Sequence, residues 1–255
     1  MSNFRRVGGN PSSIKVLLIA LAFLWLNAGC AITSVFNSES KAATAEEKSG
    51  EAVEARAVEI LMEAQETEPE VTPLLKRFAE AVNGEFWGFE HRFKQKHSMI
   101  RKIKKSLVEN PKMAADDVEI TDALRYTLLI DDDPPGTHVS TINKVLKALE
   151  DQDHDVELVK NYWPTGDNYS GVNCVLEAPS GLLWELQFHT HASKENTGDN
   201  RLKYEELRST ETPVERKQEL FDEMSTSWEE IPIPQEMLTP KSLHDSEEII
   251  TRPRP

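Results

Sequence analysis

Cysteine is almost missing from this chain. Its 255 residues hold two, Cys30 and Cys174. A disulfide framework and a cysteine-built metal cluster are therefore excluded, and a single Cys30–Cys174 bridge is the most the count allows. Glycine-rich phosphate loops are missing too, since neither GxGxxG nor GxxxxGK(S/T) occurs. Positive charge is in deficit. There are 29 Lys and Arg against 44 Asp and Glu, a formal net charge of −15, which excludes duplex nucleic acid as a general partner. A small anion held in one local basic pocket stays compatible with that balance. Hydrophobic residues make up 38% of the chain, enough for one substantial core in a soluble protein.

What is present first reads as an address. Arg5, Arg6 and Lys15 precede an unbroken apolar run, VLLIALAFLWL (16–26), followed by NAGC. A basic start, an apolar stretch of this length and small residues after it form an export signal over residues 1–30. Three endings are open. Ala28–Gly29–Cys30 resembles a bacterial lipobox, with Cys30 lipidated, although Asn27 stands where an aliphatic residue is usual. Cleavage after Ala31 is the second. Retention of 16–36 as a membrane anchor is the third. A polar linker follows over 31–51, then a domain over 52–228, then a proline-rich tail over 229–255, expected to be extended and partly disordered.

Within the domain, periodicity predicts helices over 52–66 and from Thr72–Pro73 to Gly84. VEITDALRYTLLI (118–130) alternates as a strand, with Asp122 in the row of Val118, Ile120, Leu124, Tyr126 and Leu128. An acid in that row needs a metal or a basic partner. A helix over 137–151 and strands over 156–163, 171–179 and 182–189 follow. In the last strand Leu182, Trp184, Leu186 and Phe188 point one way and Glu185, Gln187 and His189 the other, as on a site face. Helices over 198–210, with Leu202 and Tyr204 partly inward, and over 214–224 complete an α/β (α+β) domain with a small mixed sheet.

The positive charge is gathered in one place. HRFKQKHSMIRKIKK (91–105) carries seven Lys or Arg and no acid. Read as a helix, it places Lys94, Ser98, Arg101, Lys102 and Lys105 opposite an apolar stripe of Phe93, Ile100, Ile103 and Leu107. A solvated face usually mixes signs; one of a single sign repels itself unless an anion sits there.

The spacing of Arg92, Lys94, Ser98, Arg101 and Lys102 resembles the ATP-binding helix of the RelA/SpoT-type alarmone (ppGpp) synthetase domain. The later elements follow in the same order: Asp122 on its strand, a helix, Tyr169 in DNYSGVN, and Glu185 with Gln187 in WELQFHT. The resemblance covers roughly 75–210. It implies a nucleotidyltransferase-like fold, a mixed five-stranded sheet with flanking helices. It implies transfer of the β,γ-pyrophosphate of ATP to the 3′-hydroxyl of an acceptor nucleotide, with release of AMP and Mg²⁺ as cofactor. By this likeness Arg92, Lys94, Ser98, Arg101 and Lys102 bind ATP phosphates. Asp122 and Glu185 hold Mg²⁺ or serve the attacking hydroxyl. Tyr169 stacks on the acceptor base, with Lys160, Asn173 and Gln187 nearby. Arg125 and His189 are further candidates. Arg125 follows Asp122 by three residues where the family places an arginine five on, and Asn173 replaces the family's histidine. The acceptor thus stays open between GDP or GTP, an adenosine nucleotide and a tRNA end. Two other readings remain: a nucleotide-binding exported protein without catalysis, and a protein whose basic face meets anionic lipid.

Overall fold

The computed structural model describes residues 35–163, 169–239, 243 and 247–248 of the chain, with side chains for 50–163, 169–239 and 243. The export segment 1–30 and Cys30 lie outside them. The chain divides into two units, 1–44 and 45–255, and the architecture below is that of the second. Among the described residues no helix is long and apolar enough to cross a membrane.

One long helix, α1 (Val35–Ala81), replaces the two expected; it runs through Pro69 and Pro73. Each proline removes a backbone donor and favours a break. The packing of the helix face outweighs this: Val53, Ala57, Ile60, Ala64, Val71, Leu74 and Leu75 are all buried. Thr72 also joins the helix to the sheet, its hydroxyl 2.7 Å from the Tyr126 hydroxyl. Asn83, with φ of 53°, takes the left-handed conformation just after the helix, where Gly84 was expected to act.

After β1 (Glu85–Phe86) and a single 3-10 turn at Phe89–His91, α2 spans Lys96–Glu109. The basic stretch is therefore not one helix. Arg92 and Lys94 lie on an extended segment that pairs with the start of the next strand: Lys94 N–H donates to Ala123 O, and Arg125 N–H to Arg92 O. The strand expected over 118–130 shortens to β2 (Arg125–Leu129), so Asp122 sits in the turn before it. Val118, Ile120, Leu124, Tyr126 and Leu128 are nevertheless all buried, as alternation required.

The remaining elements are α3 (Thr137–Glu150), β3 (Asp155–Asn161), β4 (Val172–Glu177), β5 (Leu183–His189), α4 (His191–Asp199), α5 (Arg201–Leu207), α6 (Val214–Glu229) and β6 (Glu247–Glu248). The helix expected over 198–210 is two short ones starting earlier, and Leu202 and Tyr204 are exposed, not inward. Part of the expected tail packs on the domain: Met237 and Leu243 are buried, and β6 pairs with β3.

The sheet order is β1-β2-β5-β4-β3-β6. Six strands form it rather than five, with β1 and β6 of two residues each. It is mixed: β2 runs parallel to β5, and β3, β4 and β5 are antiparallel neighbours. One face carries Tyr126, Leu128, Val159, Cys174, Leu176, Trp184, Leu186 and Phe188 into the main core, with α1, α2 and α3. A register shift between Val156 and Leu158 lets both Val156 and Val159 meet core residues of β4. It also leaves Lys160 opposite Asn173 on the other face.

Candidate functional site

A sheet buried on one side presents alternate residues on the other. Here that second face is polar. Register aligns Thr127, Gln187, Asn173 and Lys160 in one row across β2, β5, β4 and β3. In the next row Arg125 stands beside Glu185. Tyr169, Asn173, Glu185, Gln187 and His189, which the sequence singled out separately, are thus brought together.

Their side chains form one network. Gln187 Nε2 donates to Glu185 Oε2 at 2.8 Å, and Asn173 Nδ2 to Glu185 Oε1 at 3.4 Å. The Tyr169 hydroxyl donates to Asn173 Oδ1 at 2.8 Å and meets His189 Nε2 at 2.9 Å. His189 is fully buried, with Nδ1 2.9 Å from the Ser193 hydroxyl. Burial, then the Lys194 charge, holds this imidazole well below its ordinary pKa, so it is neutral. Tyr169 does not stand free as a stacking platform. Its ring meets Tyr162, His189 and Trp228 edge-on, though it lines the cavity described below.

Asp122 has the basic partner its position required. Lys94 Nζ lies 2.5 Å from one carboxylate oxygen and Lys102 Nζ 2.7 Å from the other. Burial alone would raise this carboxyl; the ammonium groups of Lys102 and Lys94 outweigh it and hold it below the usual value. Glu185 goes the other way. Burial, then the Asp122 charge, raises it, and Gln187, Arg125 and Lys102 offset only part. Two neighbouring carboxylates therefore differ in protonation behaviour because their surroundings differ.

The other basic residues divide. Arg101 is exposed and its side chain forms no hydrogen bond or ion pair among the described residues, and Ser98 lies half-buried in the first turn of α2. Lys96 pairs with Glu54 and Lys105 with Glu109, so the face is less single-signed than the local sequence implied. Arg92 is engaged elsewhere. Its guanidinium donates to Glu68 at 2.8 Å and lies over the rings of Phe89 and Phe93. Phosphate would have to displace Glu68.

Beside the carboxylates lies a cavity of about 550 Å³. Tyr169, Asn173, Gln187, Arg125 and Thr127 form part of its wall. Residues to which the sequence reading gave no site role also line it, among them Trp87, Tyr162, Lys194, Arg201 and Tyr204. Lys194 was findable. Thr190 and Ser193 form a capping box directly after β5, so residue 194 falls in the first turn of a helix that leaves the site face.

As a metal centre the donor set is sparse. Among the described residues no three His, Cys, Asp or Glu side chains cluster for a metal. Asp122 and Glu185 are hard oxygen donors that suit Mg²⁺ carried on substrate phosphates, which needs only one or two carboxylates from the protein.

No family model matches the sequence, and no curated protein matches it either. Among solved structures the chain is similar to the type VI effector Tas1 in complex with its immunity protein, at 16% identity and a TM-score of 0.44 over 67% of this chain and 93% of that one. It is similar to the small alarmone synthetase 1 from Bacillus subtilis, at 17% identity and 0.44 over 66% and 88%. The same enzyme bound to its product pppGpp gives 15% identity and 0.41 over 68% and 88%. At such identity side-chain chemistry does not carry over, and the function has to be argued from this chain's own residues.

Proposed function

We propose that the domain transfers the β,γ-pyrophosphate of ATP to the 3′-hydroxyl of an acceptor nucleotide. The observation that carries this reading is the divergence of the two carboxylates: Asp122 held down by Lys94 and Lys102, Glu185 raised by burial. A carboxylate raised above its ordinary value by burial suits a general base, and one held among cations suits charge placement. In the proposed step the acceptor oxygen attacks the β-phosphorus of ATP. Its proton passes to Glu185, the new O–P bond forms, and the bond to the α-phosphate oxygen breaks with AMP leaving. Lys94, Lys102, Arg101 and Ser98 would receive the polyphosphate, and Mg²⁺ entering with ATP would neutralise its charge. The acceptor would occupy the cavity beside Glu185, with Asn173 and Gln187 fixing the carboxylate.

The full chain, incubated with Mg²⁺, labelled ATP and in turn GDP, GTP, ADP, AMP and bulk tRNA, tests this. AMP release with one acceptor, lost in Glu185→Gln, supports the reading. Intact ATP with every acceptor, from folded protein that binds nucleotide, reduces the domain to a binding module. Export and lipidation at Cys30 are separate proposals resting on residues 1–30. The mass of the mature N-terminus tests them.

A further inference from the structure

The chain is strongly acidic, yet no Asp or Glu lines the cavity beside Glu185 among the described residues. Arg125, Lys194 and Arg201 do line it. Two of these cations form no ion pair among the described residues. The Arg125 guanidinium forms no hydrogen bond or ion pair among the described residues, and the Lys194 ammonium reaches only the Thr127 hydroxyl, at 3.5 Å. Arg201 has Glu205 at 3.5 Å. Sequestered like charges repel, and fixing them side by side costs folding energy unless a ligand uses them. Glu185, the register partner of Arg125, has its oxygens turned to Gln187 and Asn173. Aromatic side chains on the same wall, Trp87 and Tyr204, are exposed, so the cavity joins a cationic floor to ring surfaces.

We infer that Arg125 and Lys194 form an anion subsite that takes the 5′-phosphates of a nucleotide, distinct from the Lys94–Lys102 cluster. It rests on the reading above in one respect: the nucleotide is the acceptor, whose 5′-phosphates must lie apart from those being transferred. Arg125 offers a planar fork to phosphate oxygens and Lys194 a point charge. The Thr127 hydroxyl and Gln187 amide stand in the row between them. The subsite selects phosphorylated acceptors over nucleosides.

Burial, then Arg125, pushes the Lys194 ammonium down to about 8, with Glu185 acting against them. The neutral His189 also faces it. A bound phosphate restores the charged form, so binding near pH 8 takes up a proton.

The test is calorimetry on the full chain without Mg²⁺, where no turnover occurs. GDP, ADP, guanosine, adenosine and inorganic pyrophosphate are titrated into wild type, Lys194→Gln, Arg125→Gln and Lys102→Gln. The subsite predicts that the tighter-binding diphosphate and pyrophosphate each weaken about tenfold or more in the first two variants. It predicts that the corresponding nucleoside is unaffected. It also predicts proton uptake by wild type at pH 8 with the diphosphate, whose own phosphates are already ionised there. That measurement needs no variant. Unchanged affinity in Lys194→Gln and Arg125→Gln, with loss in Lys102→Gln, overturns the subsite, as does absence of proton uptake. The two proposals fail separately. Phosphate binding that depends on Lys194, with no transfer to any acceptor, keeps the subsite and removes the transferase. Transfer with an unchanged acceptor KM in Lys194→Gln does the reverse.

Discussion

The Tyr169 hydroxyl oxygen lies 2.9 Å from Nε2 of His189. Since that hydroxyl gives its proton to Asn173, the imidazole donates to it from Nε2, while Nδ1 lies 2.9 Å from the Ser193 hydroxyl. The wall of the cavity is thus tied through Asn173 to Glu185. The ring also fills its space. A Cβ on Gly171 would stand 2.7 Å from the His189 Cε1 atom. Gly171→Ala is expected to cost about 1–3 kcal/mol through this overlap, read from denaturant midpoints.

His138, His154 and His189 are all buried and all held below their ordinary pKa, by burial first in each case. Their unfolded forms bind protons that their folded forms refuse. Their contribution to stability is therefore expected to be constant above pH 6.5 and to fall as pH drops below it. Urea midpoints between pH 7.5 and 5 check this; a flat profile refutes it.

Lys194 gives a slope of the same sign at higher pH. Its folded value of about 8 lies below the unfolded value of 10.5. Its penalty is complete below pH 8 and disappears as pH rises toward 10.5. Lys194→Met should raise the Tm at pH 7 and raise it less at pH 10.

Glu185→Gln should lower transfer by about 10²–10⁴-fold. In wild type the rate should fall as pH drops through the raised carboxyl value, not the ordinary one. The same raised value means that the ionised form is a cost to the folded state at neutral pH. The variant should therefore melt higher than wild type at pH 7.5, with no gain once pH falls below 4.5.

Asp122→Asn leaves Lys94, 11% exposed, without its anion. Breaking such a pair typically costs about 3 kcal/mol. Asp122→Leu with Lys94→Met should recover most of that stability and none of the transfer activity. Recovery of both would exclude Asp122 from the site.

The strand pattern was legible in the residues alone. Alternation in LLWELQFHT separated a core face from a polar face, and the fold keeps that separation because a pleated strand has no other choice once one side is buried. The basic partner for Asp122 was legible as a requirement, since a half-buried carboxylate needs a counter-charge. What local pattern could not supply was where α2 begins. Seven cations in fifteen residues read as one helical face, yet Arg92 and Lys94 belong to an extended segment because their backbone bonds go to Ala123 and Arg125, some thirty residues away. Pro69 and Pro73 marked a boundary that packing of α1 on the sheet overrode. The sequence by itself determined which side chains carry charge and which strand faces are apolar, because those follow from residue type and period. Only the tertiary structure decided which charges are neutralised and which are left facing an empty wall. Arg92 is taken by Glu68 and Lys94 and Lys102 by Asp122, whereas Arg125 and Lys194 form no ion pair among the described residues. Pairing depends on distances between elements far apart in the chain, and no local period encodes them.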